Sequence, residues 1–207
     1  MVEARATDGV LTTQAVARPG AVILARHGEP DLSRKILLNA EGYRAWWGTY
    51  ETKGLRQGQS APADLKAVAG AAGAIIASTR PRSMETALAV CGGKAFARDP
   101  MFIEAPLPPP PFPSWIRLSP RIWGFLSRFW WWFFDHHGHE ESRSQAEERA
   151  DQAATLVADL AGEGQDVLVV AHGFFNTMIG VALKRDGWRC TQDQGFHYWR
   201  FRRFERV

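Results

Sequence analysis

Cysteine is nearly missing from this 207-residue chain: it has two, Cys91 and Cys190, too few for a disulfide framework. Long apolar runs are missing too. The longest, Phe129 to Phe134, spans six residues, far short of the roughly 20 that a membrane-crossing helix needs. Residues 1–20 include Glu3, Arg5, Asp8 and Gln14 and hold no apolar centre of the kind a secretion signal carries. With the cysteine count, this leads us to expect a cytoplasmic protein. Excess charge is also small. Lys and Arg number 25 against 22 Asp and Glu, a net charge of +3, which argues against a nucleic-acid partner. No segment repeats. In contrast, 45% of residues are apolar and 23% charged, which excludes a disordered or fibrous chain. The length supports one domain with a sizeable core. Tryptophan stands out, with nine residues, five of them between Trp115 and Trp132.

Residues 1–20 lack periodicity and read as a flexible N-terminal arm, leaving 21–207 as the domain. Three short apolar runs, Ala21–Ala25, Ala74–Ala77 and Val167–Val170, have the pattern of strands buried on both faces. Helices are expected from Asn39 towards Leu55, after Pro62, over Pro81–Val90, over Ser142–Leu160 and over Phe174–Leu183. A short strand is expected near Lys94–Ala97. Tyr198–Phe204 alternates aromatic and arginine residues like an edge strand whose charges discourage pairing. That alternation predicts a three-layer α/β/α fold around a mostly parallel sheet. It is interrupted by a proline and aromatic insert at about 106–140, which begins with six prolines between Pro106 and Pro113.

Three polar clusters follow the three buried strands: Arg26-His27-Gly28-Glu29, Ser78-Thr79-Arg80-Pro81-Arg82 and His172-Gly173. In an open α/β sheet the ligand crevice lies at that edge. Arginines match tetrahedral oxyanions bidentately, and helix N-termini add partial positive charge. A phosphoryl ligand is therefore expected. The glycine after each histidine is expected to turn the backbone sharply and leave the ring exposed.

These clusters resemble the histidine phosphatase, or phosphoglycerate-mutase-like, superfamily. Arg26-His27-Gly28-Glu29 matches its signature tetrad, Ser78 to Arg82 with Thr86-Ala87 its helix start, and Ala171-His172-Gly173 its second histidine motif. The resemblance implies a phosphohistidine formed on His27, with Arg26, Arg82 and His172 around the phosphoryl oxygens, and no metal or other cofactor. It also implies Glu104 as the proton donor, since no acid follows His172-Gly173. In an aromatic surround that carboxyl would keep its proton. Ser33 stands where the mutases carry a phosphate-contacting asparagine, and Ser83 replaces the usual alanine. Arg80 is left between contacting phosphate and pairing with an acid. Glu29 reads as a brace. The histidines at 136, 137 and 139 sit too close along one loop to converge on a metal.

Projected at about 100° per residue, Ile122, Phe125, Leu126, Phe129, Trp130 and Phe133 form one helical stripe. Gly124, Ser127, Arg128, Trp131 and Asp135 lie opposite. So wide an apolar arc suggests a substrate lid, extra core, a homodimer interface or a peripheral membrane contact through residues 115–134. Hydrolysis of a small-molecule phosphate ester with an apolar or aromatic alcohol is the first functional reading. A mutase-type isomerase and a non-catalytic phosphate-binding protein are the alternatives.

Overall fold

The structure, a computed structural model, describes residues 19–206; the arm expected over 1–20 lies almost wholly outside the described residues. Within them, six strands form one sheet: β1 (Val22–Arg26), β2 (Ala74–Ser78), β3 (Ala97–Asp99), β4 (Val167–Ala171), β5 (Trp188–Asp193) and β6 (Phe201–Arg206). Their order is β3-β2-β4-β1-β6-β5. The first four in sequence run parallel, while β6 is antiparallel to both β1 and β5. The helices are α1 (Ala40–Thr52), α2 (Ala63–Ala71), α3 (Pro81–Val90), α4 (Pro120–Phe134), α5 (Arg143–Gly162) and α6 (Gly173–Arg185).

Alternation along the strands divides the core between two faces. Val22, Leu24, Val167 and Val169 pack with Ala150 and Ala153 of α5 and Ile179 of α6. Ile23, Ala25, Leu168 and Val170 pack with Leu65 and Ala69 of α2 and Ala87 and Val90 of α3. The result is the three-layer α/β/α architecture. Local signals set the helix ends. The Asn39 side chain accepts the Gly42 amide at the start of α1, Pro81 opens α3, and Ser142 and Gln145 form a reciprocal capping box on α5. Gly92 and Gly93, at φ 57° and 88°, stop α3 in a conformation that favours glycine.

Three expectations need correction. The short strand near Lys94 lies later, at Ala97–Asp99. The Tyr198–Phe204 segment is not an edge: its strand, β6, is paired on both sides, and β5 takes the border. β5 reads Trp-Arg-Cys-Thr-Gln-Asp, too polar to stand out by pattern. The arginines of β6 are satisfied rather than repelling. Arg202 donates to Thr177 Oγ1 at 2.9 Å, and Arg203 pairs with Asp166 and Glu205.

The third correction concerns α4. Its apolar stripe faces outward, with Phe125 and Phe133 exposed, while Ser127 and Trp131 of the opposite row and Trp123 at the stripe's border are buried. An indole N–H needs an acceptor when buried, and backbone carbonyls outside α4 provide one for each ring. Trp123 donates to the Leu38 carbonyl at 2.6 Å and Trp131 to the Glu141 carbonyl at 3.0 Å. Trp123 also stacks on Tyr43 of α1, ring centroids 5.8 Å apart. A two-way backbone bridge between Leu38 and Leu118 joins the insert to the loop before α1. Among the described residues no helix is long and apolar enough to cross a membrane.

Candidate active site

β1 and β4 are adjacent and parallel, but the chain leaves them for opposite faces of the sheet. β1 leads towards α1 and α2, and β4 leads into α6 on the other side. Such a switch point opens a crevice at the carboxyl ends of the strands. The register pairs Arg26 with Ala171, so the next residues, His27 and His172, emerge side by side. Their ring centroids lie 5.0 Å apart.

Hydrogen bonds assign the tautomers. His27 Nδ1 donates to the carbonyl of Gly28 at 2.7 Å, leaving Nε2 with a free lone pair that accepts Nε of Arg82 at 3.3 Å. Another arm of the same guanidinium, Nη2, donates to His172 Nδ1 at 3.3 Å. His172 Nε2 therefore carries its proton and donates to Ser78 Oγ at 2.9 Å. Both histidines are held neutral. Burial, reinforced by the Arg82 guanidinium, keeps each well below the ordinary imidazole range. Arg82 is itself fully buried and is fixed by the Tyr50 carbonyl at 2.8 Å and by Glu51 at 2.7 Å. Thr86 accepts the Gly28 amide at 2.9 Å and so anchors the loop carrying His27 to α3.

The glycines after the histidines have a different cause from the one expected. Neither has a positive φ, and both rings are 1% exposed. Gly28 leaves room for the Trp199 ring, which a Cβ would meet at 2.4 Å, and Gly173 for the Arg26 side chain. Neither histidine lines the neighbouring cavity; Tyr198 and Arg26, which do, form the cover. The Tyr198 ring lies 5.6 Å from His27, with the Arg26 guanidinium 4.3 Å above that ring. Arg26 also donates to the Phe196 carbonyl at 2.5 Å. Beyond this cover opens a cavity of about 770 Å³, walled by Phe125, Phe129, Phe133 and Trp132 of the α4 region, Trp46 and Tyr50 of α1, and Phe174.

A family model for the histidine phosphatase superfamily (branch 1) matches residues 22–192. The chain belongs to that superfamily. Solved structures share the fold at low identity, so they support architecture alone. A phosphoserine phosphatase mutant from Entamoeba histolytica in complex with phosphoserine has a TM-score of 0.51 and 18% identity over 80% of each chain. A phosphoglycerate mutase from Bacillus anthracis has 0.51 and 15% over 83% of each. A putative alpha-ribazole-5'-P phosphatase from Escherichia coli has 0.51 and 14%, covering 80% of this chain and 79% of its own. No curated protein sequence matches.

In this member of the superfamily the structure brings together His27, His172, Arg82 and Arg26. Glu104 lines the cavity beside Arg26. Its Oε1 accepts the Phe175 amide at 2.8 Å and its Oε2 the Phe174 amide at 3.4 Å, both at the start of α6. Ser33 is not brought in: it is exposed, and its hydroxyl accepts the Lys35 amide. Its neighbour Arg34 turns inward instead, donating to Tyr50 Oη at 3.0 Å and lining the cavity. Arg80 pairs with Glu51 at 2.5 Å, and Glu29 braces Arg56 at 2.6 Å. His136 and His137 bond to the Pro109 and Glu140 carbonyls. Sequence reading missed Glu51, Arg34 and Tyr198. None belongs to a motif, and each becomes visible only through the partner it meets in space.

Proposed function

We propose that this protein is a metal-independent phosphomonoester hydrolase that works through a phosphohistidine on His27 and accepts esters with an apolar or aromatic alcohol. One observation carries the reading: the His27 Nδ1 bond to Gly28 leaves Nε2 unprotonated, its lone pair accepting only the Arg82 Nε–H at 3.3 Å, which the incoming phosphoryl group must displace, beside a second neutral histidine. A substrate phosphoryl group would displace the Tyr198 and Arg26 cover and draw Arg26 from the Phe196 carbonyl to its own oxygens.

The chemistry then balances in two steps. His27 Nε2 attacks phosphorus, a P–N bond forms, and the ester P–O bond breaks. Arg26, Arg82 and His172 spread the charge on the equatorial oxygens. The leaving alkoxide takes a proton from Glu104, whose resting carboxylate picks it up from solvent before the first step; Oε2, whose only amide contact is the long one to Phe174, is the oxygen suited to carry it. In the second step water attacks phosphorus and yields a proton to the Glu104 carboxylate. The P–N bond breaks, and inorganic phosphate leaves with His27 restored.

The aromatic wall favours a substrate over a second copy or a membrane as the partner of α4, because Phe125, Phe129 and Phe133 line the cavity. Cys91 and Cys190 are free thiols, which suits a reducing cytoplasm. The test is turnover of p-nitrophenyl phosphate and a set of apolar phosphomonoesters with a chelator present. Release of inorganic phosphate, lost in His27→Ala, is expected. Isomerisation without release would favour a mutase, and binding without either a non-catalytic role.

A further inference from the structure

Arg128 is a half-buried cavity residue that the proposed chemistry does not use. It projects from the cavity side of α4 and lines both the main cavity and a smaller one beside Arg26 and Glu104. Its guanidinium lies 4.1 Å over the Phe174 ring. Among the described residues, its Nε is buried without a hydrogen-bond partner, and none of the ion pairs includes it. The residue as a whole is half-buried; the partial loss of hydration, with no acid paired to it, is unfavourable and pushes this guanidinium down, with Glu104 only partly opposing. An alanine or methionine would fit an aromatic wall at no such cost.

The charges around the cavity point the same way. Its lining carries four arginines, Arg26, Arg34, Arg121 and Arg128, against one carboxylate, Glu104. Arg26 belongs with the phosphoryl group. Arg34 is held by Tyr50 and lies near the Tyr198 ring. Arg128 and the exposed Arg121 remain, both on α4, where the alcohol part of an ester would lie. A rigid guanidinium fork stacked on an aromatic ring is preorganised for a planar or tetrahedral oxyanion.

We propose that Arg128 anchors a second oxyanion subsite in the aromatic wall, selecting phosphate monoesters whose alcohol bears an acidic group in addition to its apolar body. This rests on the cavity being the ester site, and it names the substrate class more narrowly: a carboxylate or a second phosphate at the far end of an apolar or aromatic spacer.

Calorimetric titration of the full chain tests this without requiring turnover. The probes are 1-naphthoate, its neutral counterpart 1-naphthamide, and inorganic phosphate. Wild type should bind naphthoate about tenfold more tightly than naphthamide, as one charge-assisted bidentate contact would give. R128M should abolish that preference, and R128K, which keeps the charge but not the fork, should retain part of it. Naphthoate and phosphate should bind together. Equal affinity for naphthoate and naphthamide, an unchanged preference in R128M and R128K, or mutual exclusion of naphthoate and phosphate would overturn the proposal. A parallel assay compares 4-carboxyphenyl phosphate with its methyl ester. If wild type hydrolyses neither that pair nor phenyl phosphate, the hydrolase reading is rejected, and the titration alone decides the case of Arg128.

Discussion

His27 and His172 lose hydration on folding and gain a cationic neighbour, and both effects oppose protonation. Their folded pKa values therefore lie below the unfolded one, near 6.5. Above that pH neither state binds the proton, and stability is unaffected. As pH falls below it, the unfolded chain takes up protons that the folded one refuses, so stability declines with a slope that approaches about 1.4 kcal/mol per pH unit for each histidine. Urea unfolding between pH 7 and pH 5 should show this decline, and His172→Asn should roughly halve the part due to the pair. The converse test at this scale is Glu51. It holds both Arg80 and Arg82, and its side chain is 14% exposed while that of Arg82 is 0%. Glu51→Gln leaves a buried guanidinium without its counter-charge and should cost about 3 kcal/mol by chemical denaturation. Residues with motif neighbours (Arg26, His27, Arg82, His172) were legible in the sequence. Glu51 was not, because its partner lies 31 residues away and a lone glutamate in a helix resembles any solvated one.

At the scale of elements, strands buried on both faces and helices with caps were read almost residue for residue, since apolar runs and capping residues act locally. α4 shows where that stops. Its 3.6-residue periodicity identified the helix, yet Phe125, Phe129 and Phe133 of the more apolar stripe became a cavity wall and the row Trp123, Ser127 and Trp131 the packed side. Periodicity reports that a face is apolar, not whether core or ligand will cover it. Two substitutions separate these roles. Trp123→Ala removes a fully buried ring from the Tyr43 stack and should destabilise by about 4 kcal/mol. Phe129→Ala removes a ring that is 40% exposed; it should cost less than about 1.5 kcal/mol while raising KM for an aryl phosphate severalfold. The opposite pattern would place the stripe in the core. β6 teaches a related lesson. Arginines read as guards of an edge were instead bonded to Thr177, Asp166 and Glu205, and β5 was too polar to announce that it would take the border.

For the whole molecule, strand order brings distant histidines together. β4 lies between β2 and β1, so the ends of all three converge on Arg82, His172 and His27, each contributed by a different part of the chain. An oxyanion bound there ties those ends together in the folded state only. Orthovanadate at 100 times its Kd should therefore raise stability by about 2.7 kcal/mol, and much of that gain should vanish in His27→Ala. The layer architecture was legible from the alternation of strands and helices, whereas the cover formed by Tyr198 and Arg26 was not, since it depends on a loop closing over residues far away in sequence. The most direct test of the account is to quench turnover of a 32P-labelled aryl phosphate and locate the label. The account predicts an acid-labile, base-stable phosphoramidate on the peptide containing His27, absent from His27→Ala. A label on any other residue, or normal turnover by His27→Ala, would contradict it.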